Sequence, residues 1–349
     1  MERRILGGTG ISVSELALGS MMFGSWGNPD RQEARKVIGM ALDAGVNLVD
    51  TADIYGEGGT EEIVGEALRG RRDDVVLATK FHGPMGPDPN HRGNSRRWIM
   101  RAVENSLRRL GTEHIDLYQV HGVDPDTDID EMLSALSDLV RAGKVRAIGT
   151  SNFPADQLVE ARWTAERRGH VHLRSEQPAY SILSRSVEMH VLPTAQRHGM
   201  GVLVWGPLSA GWLSDADATP GKGRAVLEPR RFDPGVPANA AKARVVARLR
   251  ELAAEAGMPL THLALAFVQA HPAVTSVIIG PRTADQLSDL LAGAGKVLDD
   301  EVLDQIDEIV PPGSDLNPAD NHSVRGLLAD TARRRRPTPR RSARQEARH

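Results

Sequence analysis

Val46-Asn47-Leu48-Val49-Asp50, Val75-Val76-Leu77-Ala78-Thr79-Lys80 and Ile115-Asp116-Leu117-Tyr118-Gln119-Val120-His121 are three short β-rich runs, each closed by an ionisable side chain. Similar runs end near Leu18, Thr150, Pro178, Trp205 and Ile279. The first seven ends are 27 to 39 residues apart, room for one strand, one helix and two loops. Strands alternating with helical patterns predict βα units in a parallel sheet. Eight such units predict an α/β chain folded as a (β/α)8 barrel, the TIM-barrel architecture. In that architecture the strand C-termini share one face, and chemistry is placed there.

The segments between runs carry helix signals. Asn94-Ser95 can cap a helix that runs to Leu110 and stops at Gly111. Residues 130–141 read as another, stopped by Gly143, and a third can start at Pro154, a favoured first-turn residue. The 74 residues before Ile279 hold a Gly/Pro/Asp-rich loop over about 214–240 and a helix over 241–256. A loop of that length is usually a lid or disordered. An extra C-terminal helix is expected over 299–310, ahead of Pro311-Pro312-Gly313. At the other end, Arg4 to Gly7 and Ile11 to Ser14 flank Gly8-Thr9-Gly10 and predict an N-terminal β-hairpin. The expected division is a barrel over 1–312 and an Arg-rich extension over 313–349, disordered from about 331.

Composition narrows the function classes. The net charge of -3 conceals an asymmetry, because residues 331–349 hold eight arginines and one glutamate. They carry +7, and the preceding 330 residues carry -10. An acidic body argues against nucleic acid as the partner of the folded part. Absence of cysteine excludes disulfides and thiolate metal sites. The twelve histidines show no metal-ligand spacing, so no metal is expected. Asp124-Pro125-Asp126-Thr127-Asp128 imitates the start of a calcium loop, but Ile129 and Ala135 stand where glycine and glutamate are required. No signal peptide and no membrane-length apolar run is visible, so a cytoplasmic protein without membrane contact is expected.

Four residues at the strand ends can run one reaction. Tyr55 can protonate a carbonyl oxygen that becomes an alkoxide. A free phenol is a weak acid near neutral pH, and a neighbouring ammonium lowers its pKa. Lys80 is the candidate neighbour, one of six lysines against 37 arginines. Asp50 would hold Lys80 as an ion pair, and His121 would donate a hydrogen bond or relay the proton. Each residue alone has a plain structural reading: a turn cap, a solvated cation, a packing ring, a rim imidazole. Their joint placement on consecutive strands favours the catalytic one.

Asp50-Thr51-Ala52-Asp53-Ile54-Tyr55-Gly56, Lys80 and Leu117-Tyr118-Gln119-Val120-His121 resemble the catalytic Asp, Tyr, Lys and His segments of the aldo-keto reductase family. Leu18-Gly19-Ser20, Gly149 to Phe153, Gln177 to Tyr180, Trp205 to Gly211 and Ile279 to Thr283 continue the likeness over residues 4–310. The chain looks most similar to the branch holding bacterial general-stress reductases and potassium-channel β-subunits. The resemblance implies NADPH, with NADH as a possible substitute, lying extended across the barrel mouth. No G-x-G-x-x-G is present, in line with a cofactor site outside a Rossmann fold. It implies that Gly19, Ser20, Met21 and Asp50 border the cofactor. Ser151, Asn152 and Gln177 would hold the carboxamide of the nicotinamide, and Trp205 would stack on its ring. Gly206, Pro207, Leu208, Ser209, Gly211 and Leu213 would embrace the pyrophosphate. Gly280, Arg282, Gln286 and Asp289 would take the adenosine end, Arg282 pairing with the 2'-phosphate. Asp289 and Leu290 stand where relatives usually carry Glu and Asn. Read without the resemblance, Ser151-Asn152 can also be a helix cap, Trp205 core, and Gly206-Pro207 a turn.

The expected activity is NADPH-dependent reduction of aldehydes or ketones, with a small-molecule carbonyl as the partner. Phe23, Trp26, Phe81 and His82, after the first and third barrel strands, are the expected substrate walls, and they favour apolar or aromatic carbonyls. The alternative is a slow or non-catalytic NADPH-sensing regulatory subunit that binds a protein partner. The substrate's identity and the oligomeric state are not legible in the sequence.

Overall fold

The computed structural model describes residues 1–214 and 229–320. Strands β1 (Arg3–Ile5) and β2 (Ser12–Ser14) pair antiparallel as the expected hairpin. Eight parallel strands then close a barrel: β3 (Leu16–Gly19), β4 (Leu48–Asp50), β5 (Val76–Phe81), β6 (Ile115–Val120), β7 (Val145–Ser151), β8 (Leu173–Gln177), β9 (Gly201–Val204) and β10 (Ser276–Ile279). They lie in chain order, and β10 returns to β3.

Alternation along each strand builds two cores. Ala17, Leu48, Ala78, Leu117, Ala147, Leu203 and Ile278 form the inner layer, with Leu6 and Val13 from the hairpin. The next residues, such as Leu77, Tyr118 and Ile148, pack outward under the helices. The hairpin plugs the N-terminal end of the barrel. A Cβ on Gly7 would lie 2.4 Å from the Arg174 carbonyl oxygen, and one on Gly201 would meet Leu6 at 2.7 Å. The bottom is thus sealed at van der Waals contact, and the strand C-termini form the other end.

Helices α1 (Arg31–Asp43), α2 (Gly59–Ala67), α3 (Arg96–Leu110), α4 (Ile129–Arg141), α5 (Ala155–Arg168), α6 (Val191–Arg197), α7 (Pro237–Glu255), α8 (Leu260–Ala270) and α9 (Ala284–Ala292) connect or follow the strands. The final helix, α10 (Asp300–Ile309), packs on α7. Ser95 caps α3 by accepting from the Trp98 amide, and Gly111 ends it in the left-handed region. Pro154 is the residue before α5 rather than its first turn. The helix expected over 241–256 begins earlier, at Pro237. The expected loop over 214–240 falls partly outside the described residues, as does the tail from 321. Residues 314–316 continue onto the barrel, with Arg185 N donating to Ser314 O and Leu316 N to Leu183 O.

Candidate active site

Two-residue alternation places Asp50 above Leu48, Lys80 above Ala78 and Gln119 above Leu117, all pointing into the barrel at its C-terminal end. Lys80 is fully buried, and its Nζ donates to Asp50 Oδ2 at 2.6 Å and to the Thr51 carbonyl oxygen at 2.8 Å. Asp50 Oδ1 accepts from Gln177 Nε2 at 2.9 Å and from Gln119 Nε2 at 3.3 Å. Burial alone would lower the Lys80 ammonium. The Asp50 carboxylate, and the Tyr55 phenolate once it forms, with hydrogen bonds to both, outweigh it and hold the pKa above its ordinary value.

Tyr55 reaches this pair from the loop after β4. That loop runs on beside β5, Thr51 N donating to Ala78 O and Asp53 N to Lys80 O. It then turns tightly through Gly56, Glu57 and Gly58, all at positive φ. Gly58 is required twice over: its φ is 96°, and a Cβ would press on Arg109 Cδ at 2.8 Å. Arg109 in turn grips Glu61 of α2, donating from Nε at 2.7 Å. The Tyr55 ring centroid is 5.2 Å from Lys80 Nζ, and the His121 ring meets it edge-on at 5.8 Å. Asp50, Tyr55, Lys80 and His121 are therefore one cluster. A phenol against a buried ammonium, with an imidazole alongside, can release a proton toward the mouth.

Around the cluster, Trp205 donates from its indole nitrogen to Asn152 Oδ1 at 3.2 Å. Asn152 Nδ2 donates to the His121 carbonyl oxygen at 3.2 Å and to Ser151 Oγ at 3.0 Å. Ser151 Oγ donates to Gln177 O at 2.9 Å. Asn152, Ser209 and Ala210 all sit at positive φ. Among the described residues, a Cβ on Gly206 or Gly280 would meet nothing within 4 Å. Beside Gly206 lies a small cleft lined by Ala179, Ser181, Trp205, Ser209 and Arg231 among others. The Ser20 hydroxyl is buried without a hydrogen-bond partner among the described residues. Leu213 is fully buried. Near the start of α9, Arg282 N donates to Gln286 Oε1 at 2.8 Å, and the Arg282 guanidinium has no hydrogen bond or ion pair among the described residues. Asp289 lies over His262, 3.4 Å from Nε2, while Leu290 is buried in the outer core.

Two expected substrate walls are corrected. Phe81 follows inward-facing Lys80 on the strand, so it faces outward and stacks on Tyr118 at 4.9 Å, fully buried. Phe23 is likewise fully buried in the outer core. Trp26 does stand at the mouth, half-buried, its ring 5.9 Å from Tyr55. His82 is half-buried and hydrogen-bonded through Nδ1 to Asn94 Oδ1 at 2.9 Å.

Sequence reasoning missed three parts of this region. Gln119 was visible only as a strand residue; the alternation that puts Lys80 inside also puts Gln119 there. Asp53, buried behind the loop, has both carboxylate oxygens without a hydrogen-bond partner among the described residues. Burial, reinforced by Glu61, raises its pKa well above the ordinary carboxylate range. Asp320 bridges Arg231, at 3.2 Å, and buried Lys242. No local pattern links three residues so far apart in sequence.

Comparison with known proteins now fits the geometry. The model of the aldo/keto reductase family matches residues 15–311. The chain belongs to the aldo/keto reductase family. It is 41% identical to an uncharacterized oxidoreductase, YrpG, of Bacillus subtilis, over 90% of this chain and 98% of that one. It is 34% identical to a "probable voltage-gated potassium channel subunit beta" of Arabidopsis thaliana, over 89% and 97% of the two chains. The aldo-keto reductase YhdN of B. subtilis is 41% identical over 61% of this chain and 64% of its own length. This aldo/keto reductase is thus an oxidoreductase by family. Among its described residues, no helix is long and apolar enough to cross a membrane.

Proposed function

We propose that the protein is an NADPH-dependent reductase of aldehydes or ketones, with Tyr55 as the general acid. The observation that carries this reading is the buried Lys80 ammonium, paired to Asp50 and set against the Tyr55 ring. A nicotinamide cofactor, when bound, would supply the hydride for the carbonyl carbon; the chain supplies orientation and charge. Tyr55 gives its phenolic proton to the carbonyl oxygen. Lys80 stabilises the phenolate left behind, and Asp50 keeps Lys80 charged and fixed. His121 donates a hydrogen bond to the same oxygen.

The donor set around the mouth fits a dinucleotide. Ser151, Asn152 and Gln177 present amide and hydroxyl groups suited to a carboxamide, and Trp205 offers a ring for stacking. None of the described residues crowds Gly206 or Gly280, which leaves room for close backbone approach, and the positive-φ turn through Ser209, Ala210 and Gly211 suits a pyrophosphate. Ser20, with Gly19 and Met21, borders the same mouth from β3. Arg282 can pair with a 2'-phosphate, Gln286 and Asp289 lying on the helix behind it. Trp26 and His82 are the remaining walls for an apolar or aromatic carbonyl compound.

Likeness to the plant channel subunit supports a second reading, a slow NADPH-sensing regulatory protein with a protein partner. The two readings separate on turnover with Lys80→Met. The reductase reading expects rapid turnover of aromatic aldehydes by the wild type and its loss in the variant, with NADPH still bound. Negligible wild-type turnover, with a stable partner recovered by pull-down, would support the sensor.

A further inference from the structure

Glu176 is fully buried at the end of β8, and no step described above uses it. Its neighbour Gln177 faces the barrel interior, so Glu176 faces the opposite way, beneath the turn that joins β7 to α5. Its partners are a hydroxyl and a backbone amide. Oε1 accepts from Phe153 N at 3.1 Å, and Oε2 accepts from Thr150 Oγ1 at 2.5 Å. The Asn152 amide donates to the Gln177 carbonyl oxygen at 3.2 Å, so the amide of this turn that Glu176 satisfies is that of Phe153. Burial pushes its pKa up to about 8. The protonated form is well satisfied: its O–H can donate to Thr150 Oγ1, which lies 3.4 Å from the Ser175 carbonyl oxygen.

What this carboxyl holds is Asn152, whose φ of 62° puts it in the left-handed region. That conformation directs the Asn152 side chain to the His121 carbonyl and the Trp205 indole, in the middle of the site. We infer that Glu176 is a positioning residue: by accepting from the Phe153 amide, next to Asn152 in the turn, it fixes the Asn152 side chain where the nicotinamide carboxamide is to be held. The inference rests on the reading of Asn152 given above. The need is for an acceptor oxygen of the right reach, not for a charge. Glutamine supplies the acceptor and a donor for Thr150 Oγ1. Methionine fills similar volume and leaves the Phe153 amide unmet, a loss on the order of tenfold or more when it is transmitted to binding.

The test is titration of the full-length protein at neutral pH with NADPH and, separately, with 2'-phospho-ADP-ribose, the same molecule without nicotinamide. Glu176→Gln should bind both as the wild type does, within about twofold. Glu176→Met should lose about tenfold or more for NADPH and less than about twofold for the fragment. Equal losses for both ligands would make Glu176 merely structural and overturn the inference. So would wild-type NADPH affinity in Glu176→Met, or a loss in Glu176→Gln as large as in Glu176→Met. If Glu176→Met does not fold, Glu176→Asp withdraws the carboxyl by one methylene and should show the same selective loss, several-fold; an unselective loss overturns the inference. Asn152→Ala separates the two levels. Unchanged NADPH affinity there would sink the reading of Asn152. Lost affinity there, with none lost in Glu176→Met, would sink only the role of Glu176.

Discussion

A lysine without solvent contact stays charged only when protein groups replace its water. For Lys80 those groups are the Asp50 carboxylate and the Thr51 carbonyl. Lys80→Met strands Asp50 in the barrel, with Gln119 and Gln177 as its remaining donors. The variant should lose about 3–5 kcal/mol of stability in urea titration, and Asp50→Asn added to it should recover part of that loss. Trp26 acts at the same scale but on substrate. Its ring stands beside Tyr55 without touching the ion pair, so Trp26→Ala should raise KM for aromatic aldehydes by about tenfold and change kcat far less. Glu176 gives a pH signature. Its pKa is raised from 4.5 in the unfolded chain to about 8 in the fold, so between those values the folded state holds the extra proton. Stability from this group is therefore full below the lower value and falls as pH rises toward 8. Urea midpoints of Glu176→Gln should gain on those of the wild type steadily from pH 5 to pH 8, and a constant difference would contradict the raised pKa.

Elements were legible where local chemistry writes a period or a stop. The eight strands were visible as apolar runs, and α3 was bounded by Ser95 and Gly111. Helix α8 was not visible, because residues 260–269 are all buried, Thr261, His262 and Gln269 included, and a helix buried all round has no solvent-facing polar stripe to mark its turns. The substrate walls at Phe23 and Phe81 were misplaced for a related reason. Position after a strand was read as position in the pocket, whereas the inward face of Lys80 already commits Phe81 to the outward one. The hairpin shows what an element can do that its sequence does not announce. Its Gly-rich turn predicted a β-turn unit, but the seal at the barrel bottom appears only in the packing of Gly7 on Arg174 and Gly201 on Leu6. Gly7→Ala combines a φ of 50° with a backbone overlap, and should cost about 1–3 kcal/mol or more in thermal or urea unfolding while leaving the mouth residues in place.

At the scale of the molecule, the parallel barrel gathers Asp50, Tyr55, Lys80 and His121 from three successive βα units, which is why their order along the chain is informative in itself. The cofactor residues are more dispersed. Trp205, Asn152 and His121 meet only because β6, β7 and β9 end at one face, and the contact of Asp320 with Arg231 and Lys242 depends on the chain returning after α10. The candidate site lies within 1–320, and the arginine-rich segment 331–349 falls outside the described residues. Its deletion should leave turnover intact; lost activity would give the tail a part in closing the site. The most direct measurement of the proposed chemistry is the fall in NADPH absorbance with para-nitrobenzaldehyde, for the wild type beside Tyr55→Phe, with NADH in parallel. The wild type should oxidise the cofactor, faster with NADPH, and Tyr55→Phe should lose about 100-fold or more with NADPH binding retained. Aldehyde reduction by Tyr55→Phe at the wild-type rate would contradict a general-acid role for Tyr55, and with it the proposed reductase mechanism.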